Sequence, residues 1–180
     1  MEEKCKKFHE LYWLGLKPLT KKEIIEAFKK DNISLSDQDW TELYNQTKPQ
    51  REETKSLRAR WLTKFPHDNG ITFGEFLAQL AALQKKCCYC GITEDQLTLM
   101  NEQGLIITKR NRGGSLEIER MSPNESYMNF GNLRYACYWC NNAKTDTFSY
   151  DEFKGHIAPG IRFIWNCRLD NAGLSRIPEE

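Results

Sequence analysis

Cys87-Cys88-Tyr89-Cys90-Gly91 and Cys137-Tyr138-Trp139-Cys140-Asn141 are two stretches that each carry a pair of cysteines separated by two residues. Such a pair places two thiolates on one tight turn, and two pairs supply the tetrahedral shell that a borderline-soft cation prefers. A shell closed by four sulfurs is typical of a structural zinc ion. The spacing therefore predicts one structural Zn²⁺ bound by Cys87, Cys90, Cys137 and Cys140.

The free energy of zinc binding is large enough to bring these two turns together. Cys90 and Cys137 are separated by 46 residues, and closing a loop of that length costs roughly 3 kcal/mol. Apparent zinc-binding free energies at neutral pH are roughly 10 to 16 kcal/mol. Cys88 competes with Cys87 as the ligand, but the spacing to Cys90 and the glycine that follows favour Cys87. The alternative is that all four are ordinary buried cysteines of a reduced protein.

Composition excludes a general affinity for polyanions. The 180 residues include 26 Lys and Arg against 25 Asp and Glu, which gives a net charge of +1. Contact with nucleic acid must therefore come from a local patch. Seven cysteines, four of them in C-x-x-C pairs, suit a reducing compartment, and no stretch approaches the 18 apolar residues that a membrane span needs. We expect a cytoplasmic protein with no membrane contact.

The first half of the chain, residues 1–84, is predicted to be helical. Capping-box patterns begin at Thr20 and Ser36, and helically spaced apolar residues follow each of them. A third helix is predicted around Trp61, and a fourth begins near Phe73 with a buried apolar stripe. The third helix carries a basic group for which a solvated face is favoured over a DNA-gripping arm. This group is Arg51, Lys55, Arg58, Arg60 and Lys64.

After the first cysteine pair the periodicity becomes mixed. A capping box at Thr93 predicts a short helix. The segments 105–108 and 116–121 flank Asn111-Arg112-Gly113-Gly114, whose glycines favour the turn of a β-hairpin. The next strand is expected at 132–136.

The chain after the second cysteine pair is predicted to be helical. Cys137 to Thr145 has helical character, and Ser149 begins a further capping box. Pro159-Gly160 is expected to end that helix. The apolar segment 161–169 is consistent with a helix or a strand, and a loose tail is expected from Asp170 onward.

Several motifs between residues 85 and 155 together resemble a zinc-knuckle nuclease of the HNH (ββα-metal) type. They are Leu116-Glu117-Ile118-Glu119-Arg120, Tyr127, Asn132-Leu133 and Cys137-x-x-Cys140-Asn141-x-x-Lys144. The resemblance implies an α+β fold, with a ββα-metal core stapled by zinc and a helical N-terminal half. It also implies three regions. These are a helical region 1–84, a zinc-knuckle nuclease domain 85–158 and a C-terminal segment and tail 159–180.

The resemblance assigns a role to each motif residue. A phosphodiester transition state gathers negative charge, which a divalent ion such as Mg²⁺ or Mn²⁺ stabilises. Glu119 stands at the acidic metal ligand of the family, and Asn141 stands at the final histidine position, which is often Asn. Asn132 is the middle Asn that braces the loop. These residues and Tyr127 are the implied catalytic set, with Glu119 and Asn141 as ligands of the catalytic ion.

Arg120 departs from the family, because it occupies the position of the general-base histidine. A guanidinium with a pKa above about 12 cannot accept a proton at neutral pH. The base is therefore Tyr127, a hydroxide on the divalent ion, or His156 from the following helix. Arg120 itself suits bidentate binding of the scissile phosphate, and the alternative is a surface salt bridge with Glu117 or Glu125.

Positive residues around these motifs predict a phosphate footprint, with Lys109, Arg112, Arg134 and Lys144 as the nucleic-acid-binding residues. The sequence thus favours a metal-dependent DNA endonuclease of phage, restriction or anti-phage defence type, with RNA as an alternative substrate. The rival hypothesis is a catalytically inactive zinc module that binds nucleic acid or scaffolds a protein complex. The helical N-terminal half is expected to contact a protein partner or a second copy of the chain.

Overall fold

A computed structural model of the chain describes residues 2–64, 71–106, 112–127 and 129–178. The chain divides into two compact units, Met1–Ala81 and Ala82–Glu180, each with its own hydrophobic core. Within the described residues no helix combines the length and the apolar character needed to cross a bilayer. The described residues are rich in helix and include a small two-stranded antiparallel sheet, which agrees with the predicted α+β class.

Unit 1, residues 1–81, consists of helices. They are α1 (Glu2–His9), which continues into a π-helical turn (Glu10–Leu14), α2 (Lys21–Lys30), α3 (Asp37–Gln46), α4 (Lys48–Lys64) and α5 (Phe73–Ala82). The predicted capping boxes at Thr20 and Ser36 are confirmed, since each side chain accepts a hydrogen bond from the third helical residue. Apolar residues of α1, α2 and α3 meet around Phe8 and Phe28, both fully buried.

The basic group on α4 does not form a uniformly solvated face, which corrects the sequence interpretation. Arg51 is 6% exposed and Arg58 is 3% exposed. Arg51 donates to the carbonyl of Tyr44, and Arg58 donates to the carbonyl of Trp13. Aromatic rings cover both guanidinium groups, and Arg58 lies 4.6 Å from the ring centroid of Trp13. These arginines bind backbone acceptors near helix ends, where positive charge is stabilising.

Unit 2, residues 82–180, holds both cysteine pairs. Its elements are α6 (Glu94–Glu102), β1 (Glu117–Arg120), β2 (Leu133–Ala136), α7 (Tyr138–Lys144), α8 (Tyr150–Glu152), a π-helical turn (Phe153–Ile157) and α9 (Ala158–Asn171). The strands β1 and β2 pair antiparallel, with Glu119 opposite Arg134. The predicted hairpin between 105–108 and 116–121 falls partly on residues 107–111, which lie outside the described part. Leu105 and Ile106 are in neither strand.

The four cysteines of the two pairs are part of the core of unit 2. They pack with Ile92, Leu97 and Met100 and with residues of α9, including Trp165. The predicted capping boxes at Thr93 and Ser149 are both present. Because the cysteine cluster lies inside the core, the burial of apolar surface and the convergence of the four thiols depend on each other.

Two expectations about the C-terminal segment are wrong. Pro159 lies in the first turn of α9 and does not end a helix, because the missing amide hydrogen of proline is tolerated at that position. The residues after Asp170 are not a loose tail over the described range. Ile177 is 3% exposed, and its amide donates to the side-chain oxygen of Asn166 at 2.8 Å.

Candidate active site

The four predicted zinc ligands converge on one point. The sulfur atoms of Cys87, Cys90, Cys137 and Cys140 all lie within 4.8 Å of one another, and all four residues are buried. The Cys90 and Cys137 sulfurs are 3.8 Å apart, far beyond the ~2.05 Å of a disulfide. A tetrahedron with metal–sulfur bonds of ~2.3 Å has edges of ~3.8 Å. The donor set therefore fits one structural Zn²⁺.

The electrostatics of the cluster also favour a bound cation. The pKa values of Cys90 and Cys140 are raised, mainly by their hydrogen bonds to Cys137, whereas the pKa of Cys87 is lowered because the effect of burial is outweighed by its hydrogen bonds with the other three cysteines. Four thiolates cannot coexist in a buried cluster unless a cation balances their charge. Cys88 is half-buried, whereas the four cysteines of the cluster are buried, and it is not part of the cluster. Burial raises the pKa of Cys88. Its position agrees with the choice of Cys87 as the ligand.

The cysteine turns hold the elements that carry the other predicted site residues. The Cys88 amide donates to the Tyr135 carbonyl at 2.8 Å, which attaches the first turn to β2. Cys137 is the N-cap of α7, where its sulfur accepts a hydrogen bond from the Cys140 amide at 3.5 Å. The cluster thus fixes both β2 and the start of α7.

A polar pocket of about 220 Å³ lies beside β1 and α7. It brings together five of the residues predicted from the sequence, which are Glu119, Arg120, Tyr127, Asn141 and Lys144. The remaining lining residues include Thr145 and Asp146, which directly follow α7. The pocket therefore joins the acid of the first strand to the amide of the helix.

Glu119 is held through one of its two carboxylate oxygens. Its Oε1 accepts a hydrogen bond from the Tyr89 hydroxyl at 3.1 Å and lies 3.4 Å from the ammonium of Lys144. Burial raises the pKa of Glu119, and the positive charge of Lys144 opposes that rise. Tyr89 and Lys144 are each about 1% exposed. Both contacts are made to Oε1, so within the described residues Oε2 accepts no hydrogen bond.

Asn141 is oriented by a neighbouring acid. Its Nδ2 donates to Oε2 of Glu117 at 2.6 Å, and Glu117 is also bound by the guanidinium of Arg112. With the amide nitrogen committed to Glu117, the amide oxygen is the atom available to a cation. A carboxylate oxygen and an amide oxygen are the hard donors that Mg²⁺ and Mn²⁺ prefer, so Glu119 and Asn141 fit such an ion.

Arg120 and Tyr127 contact each other at the pocket. The guanidinium carbon of Arg120 lies 4.7 Å from the Tyr127 ring centroid, and Nη1 donates to the Glu125 carbonyl at 3.1 Å. Within the described residues Arg120 forms no ion pair with Glu117 or Glu125, and its contact with Glu125 is to the backbone carbonyl. His156 is exposed on the π-helical turn before α9 and is not a lining residue of this pocket.

Asn132 braces the loop between the strands. Its side chain donates to the Ser122 carbonyl at 2.9 Å and accepts from the Ser122 amide at 2.7 Å. The Met121 amide also donates to the Asn132 carbonyl. Asn132 is 4% exposed. It therefore shapes the loop from within and does not line the polar pocket.

The four residues predicted to bind nucleic acid occupy different environments. Arg112 pairs with Glu117 and lies over the ring of Tyr138. Arg134 donates to the carbonyls of Gly131 and Leu133. Lys144 is buried against Glu119. The fourth, Lys109, lies outside the described residues.

Sequence reasoning missed the residues that support the site. In the sequence Tyr89 is only a residue between two cysteines. The fold places its hydroxyl beside Glu119. Glu117 could have been found, because residues i and i+2 of a strand share one face. Asp146 follows Thr145, whose φ of +52° is uncommon for a residue other than glycine. Nothing in the sequence marks that conformation.

Comparison with known proteins gives little further help. No family model and no curated protein matches the chain. Among solved structures, the chain is similar to the HNH restriction endonuclease PacI, with a TM-score of 0.39 and 27% sequence identity. The match covers 52% of this chain and 60% of the PacI chain. A TM-score of this size does not establish a common fold.

Proposed function

We propose that the chain is a metal-dependent endonuclease that hydrolyses phosphodiester bonds in DNA. The observation that carries the proposal is the polar pocket in which Glu119 and Asn141 offer hard oxygen donors beside a buried lysine. Glu119 and Asn141 would hold the Mg²⁺ or Mn²⁺ ion. When bound, such an ion stabilises the negative charge that develops on the phosphate and on the leaving oxygen.

The surrounding side chains prepare this pair. Tyr89 and Lys144 fix one oxygen of Glu119, so the other oxygen is directed to the ligand. Glu117 fixes the Asn141 amide. Preorganised groups of this kind lower the cost of reaching the transition state because they do not reorient during the reaction. Arg120, at the edge of the same pocket, suits bidentate contact with the scissile phosphate.

The general base must be a group other than Arg120. Arg120 cannot accept a proton at neutral pH. Tyr127 lines the pocket and His156 does not. Of the protein groups considered, Tyr127 is therefore the one placed beside the attacking water, and a hydroxide on the divalent ion is the alternative source of the nucleophile.

The nuclease assay uses supercoiled plasmid and zinc-loaded protein with Mg²⁺ or Mn²⁺. We expect wild-type protein to convert the plasmid to nicked and linear forms, and the variants Glu119→Ala and Asn141→Ala to lose at least about a hundredfold in rate. Asp151→Ala, an exposed acid in α8, is the matched control and is expected to cut normally. Failure of the wild type on duplex, single-stranded and RNA substrates in both metals would refute the proposal.

Arg120, which occupies the position of the general-base histidine, favours a second candidate function without catalysis. A chain of this kind that lacked activity would be a zinc module that binds nucleic acid or scaffolds a complex. In that case wild-type protein would retain DNA in a mobility-shift assay without cutting it. A purely structural partner protein would show neither cutting nor retention.

A further inference from the structure

A second pocket of unit 2, of about 390 Å³, is cationic. Its lining includes Lys86, Arg134, Lys154, Tyr135 and Tyr150. None of the described residues that line it is an Asp or a Glu. The three cations are half-buried. Because the whole chain has a net charge of only +1, this pocket is a local concentration of positive charge, which favours contact with an anion.

The two tyrosines of this cationic pocket each lie beside a lysine ammonium group. The ammonium of Lys85 donates to the Tyr135 hydroxyl at 3.1 Å and lies 4.5 Å from the centroid of that ring. The ammonium of Lys154 lies 5.8 Å from the Tyr150 ring centroid. Positive groups interleaved with aromatic rings are the combination that binds the backbone and bases of a single nucleic-acid strand.

The position of Arg134 relates the cationic pocket to the candidate active site. Arg134 on β2 lies directly opposite Glu119 on β1, and the Cβ atoms of such cross-strand neighbours are about 5 Å apart. A different neighbouring pocket, which shares Tyr150, is lined by Glu125, Asp146 and Glu152. These acids would repel an anionic strand. A nucleic-acid strand that leaves the active-site pocket is therefore expected to pass Arg134 and enter the cationic pocket.

We propose that the cationic pocket binds the phosphodiester backbone of a nucleic-acid strand next to the active-site pocket. The inference rests on the proposed function for the identity of that strand as part of the substrate. Lys86 and Lys154 contact the phosphates, and the half-buried Tyr150 offers ring surface to an adjoining base. The recognised chemistry is the phosphodiester, which DNA and RNA share.

The test measures binding without cutting. Fluorescence anisotropy with labelled 12-nucleotide DNA and RNA strands is recorded at increasing KCl and without divalent ions. The variant Lys86→Gln/Lys154→Gln is expected to bind about 25-fold more weakly at 0.1 M salt, because two phosphate contacts are lost. For the same reason, the slope of the logarithm of affinity against the logarithm of salt concentration should become smaller by about 1.4. Lys22→Gln/Lys30→Gln removes the same charge from exposed positions of α2 and is expected to bind like the wild type. An unchanged affinity and salt slope in the first variant would overturn the inference.

A second measurement does not depend on the variants folding. Acylation of lysines in wild-type protein, followed by mass spectrometry, should show that the bound strand protects Lys86 and Lys154 but not Lys30. Equal reactivity of Lys86 and Lys154 with and without the strand would overturn the inference. Displacement of the strand by polyglutamate of equal total charge would also overturn it, because the pocket would then bind any polyanion. Binding with this protection pattern but without nuclease activity would refute the proposed function alone. Normal plasmid cutting with no protection would refute the cationic pocket alone.

Discussion

At the scale of single residues, the candidate site depends on how the ligand oxygens of Glu119 and Asn141 are selected. Tyr89 and Lys144 occupy Oε1 of Glu119, and Glu117 occupies the amide nitrogen of Asn141. Partners that orient a metal ligand typically contribute 10-fold to 100-fold to metal affinity. The roles of these supporting residues can therefore be measured separately from catalysis.

Tyr89→Phe removes the hydroxyl that holds Glu119 and leaves the aromatic ring in the core. We expect Mn²⁺ to bind about tenfold more weakly, while the zinc content stays the same. The measurement is Mn²⁺ titration of zinc-loaded protein by electron paramagnetic resonance. Tyr138→Phe, which keeps the ring under Arg112, is the matched control. Unchanged Mn²⁺ affinity in Tyr89→Phe would show that the hydroxyl does not position Glu119.

The pH dependence of Mn²⁺ affinity follows from the pKa of Glu119. Burial raises that pKa above its ordinary value of 4.5, and Lys144 opposes the rise. Since a protonated carboxyl cannot bind the ion, affinity should fall as pH falls through the raised pKa, at a higher pH than for an exposed glutamate. Lys144→Met should move this fall to still higher pH. Titrations between pH 5 and pH 8 test both statements, and a Lys144→Met profile that coincides with the wild type would contradict the second.

At the scale of elements, helix starts were predictable and strand partners were not. The capping boxes at Thr20, Ser36, Thr93 and Ser149 were predicted because a cap is a local hydrogen-bond pattern written in four consecutive residues. The pairing of β1 with β2 depends on contacts across the chain, and 105–108 was the expected partner. Pro159 was misassigned because proline is compatible with both a helix end and a first turn.

The burial of two arginines on α4 could not be predicted from the sequence. Periodicity shows which positions share a face, but Arg51 and Arg58 lie inward only because backbone carbonyls and aromatic rings receive them. Burial lowers the pKa of Arg58 to about 10, so it remains charged at neutral pH. Its carbonyl partner would lose a hydrogen bond if the side chain were removed.

Arg58→Ala is expected to destabilise unit 1 by about 2 to 4 kcal/mol, because it leaves a cavity and removes the hydrogen bond to the partly buried carbonyl of Trp13. Arg60→Ala, two residues further along α4 and exposed, is the control and should change stability by less than about 0.5 kcal/mol. Urea unfolding followed by tryptophan fluorescence measures both. Equal stability of the two variants would contradict the buried role of Arg58.

At the scale of the whole molecule, the four-cysteine cluster could be predicted from the sequence, because the spacing of the two cysteine pairs directly encodes a tetrahedral shell. The convergence of Glu119 with Asn141 on one pocket was reached only through a family resemblance, since the two residues lie on different elements. The cationic pocket and the supporting residue Tyr89 required the three-dimensional arrangement. Each unit has its own core, so loss of zinc should affect the units differently.

Cys137→Ser should abolish stoichiometric zinc and unfold residues 82–180, because one ligand of the shell and the N-cap of α7 are lost together. The helices of residues 1–81 should keep their circular dichroism. Cys88→Ser is the matched control and should retain about one zinc per chain by elemental analysis. A Cys137→Ser protein with its full zinc content would reject the ligand set.

The most direct test of the central claim is anomalous diffraction from crystals of zinc-loaded protein soaked in Mn²⁺. The central claim is that zinc closes the cysteine shell while Glu119 and Asn141 bind a second, harder ion. We expect a zinc signal among the four cysteine sulfurs and a manganese signal in contact with Glu119 Oε2 and the Asn141 amide oxygen. Manganese located away from both residues, or a cysteine cluster without zinc, would contradict the claim.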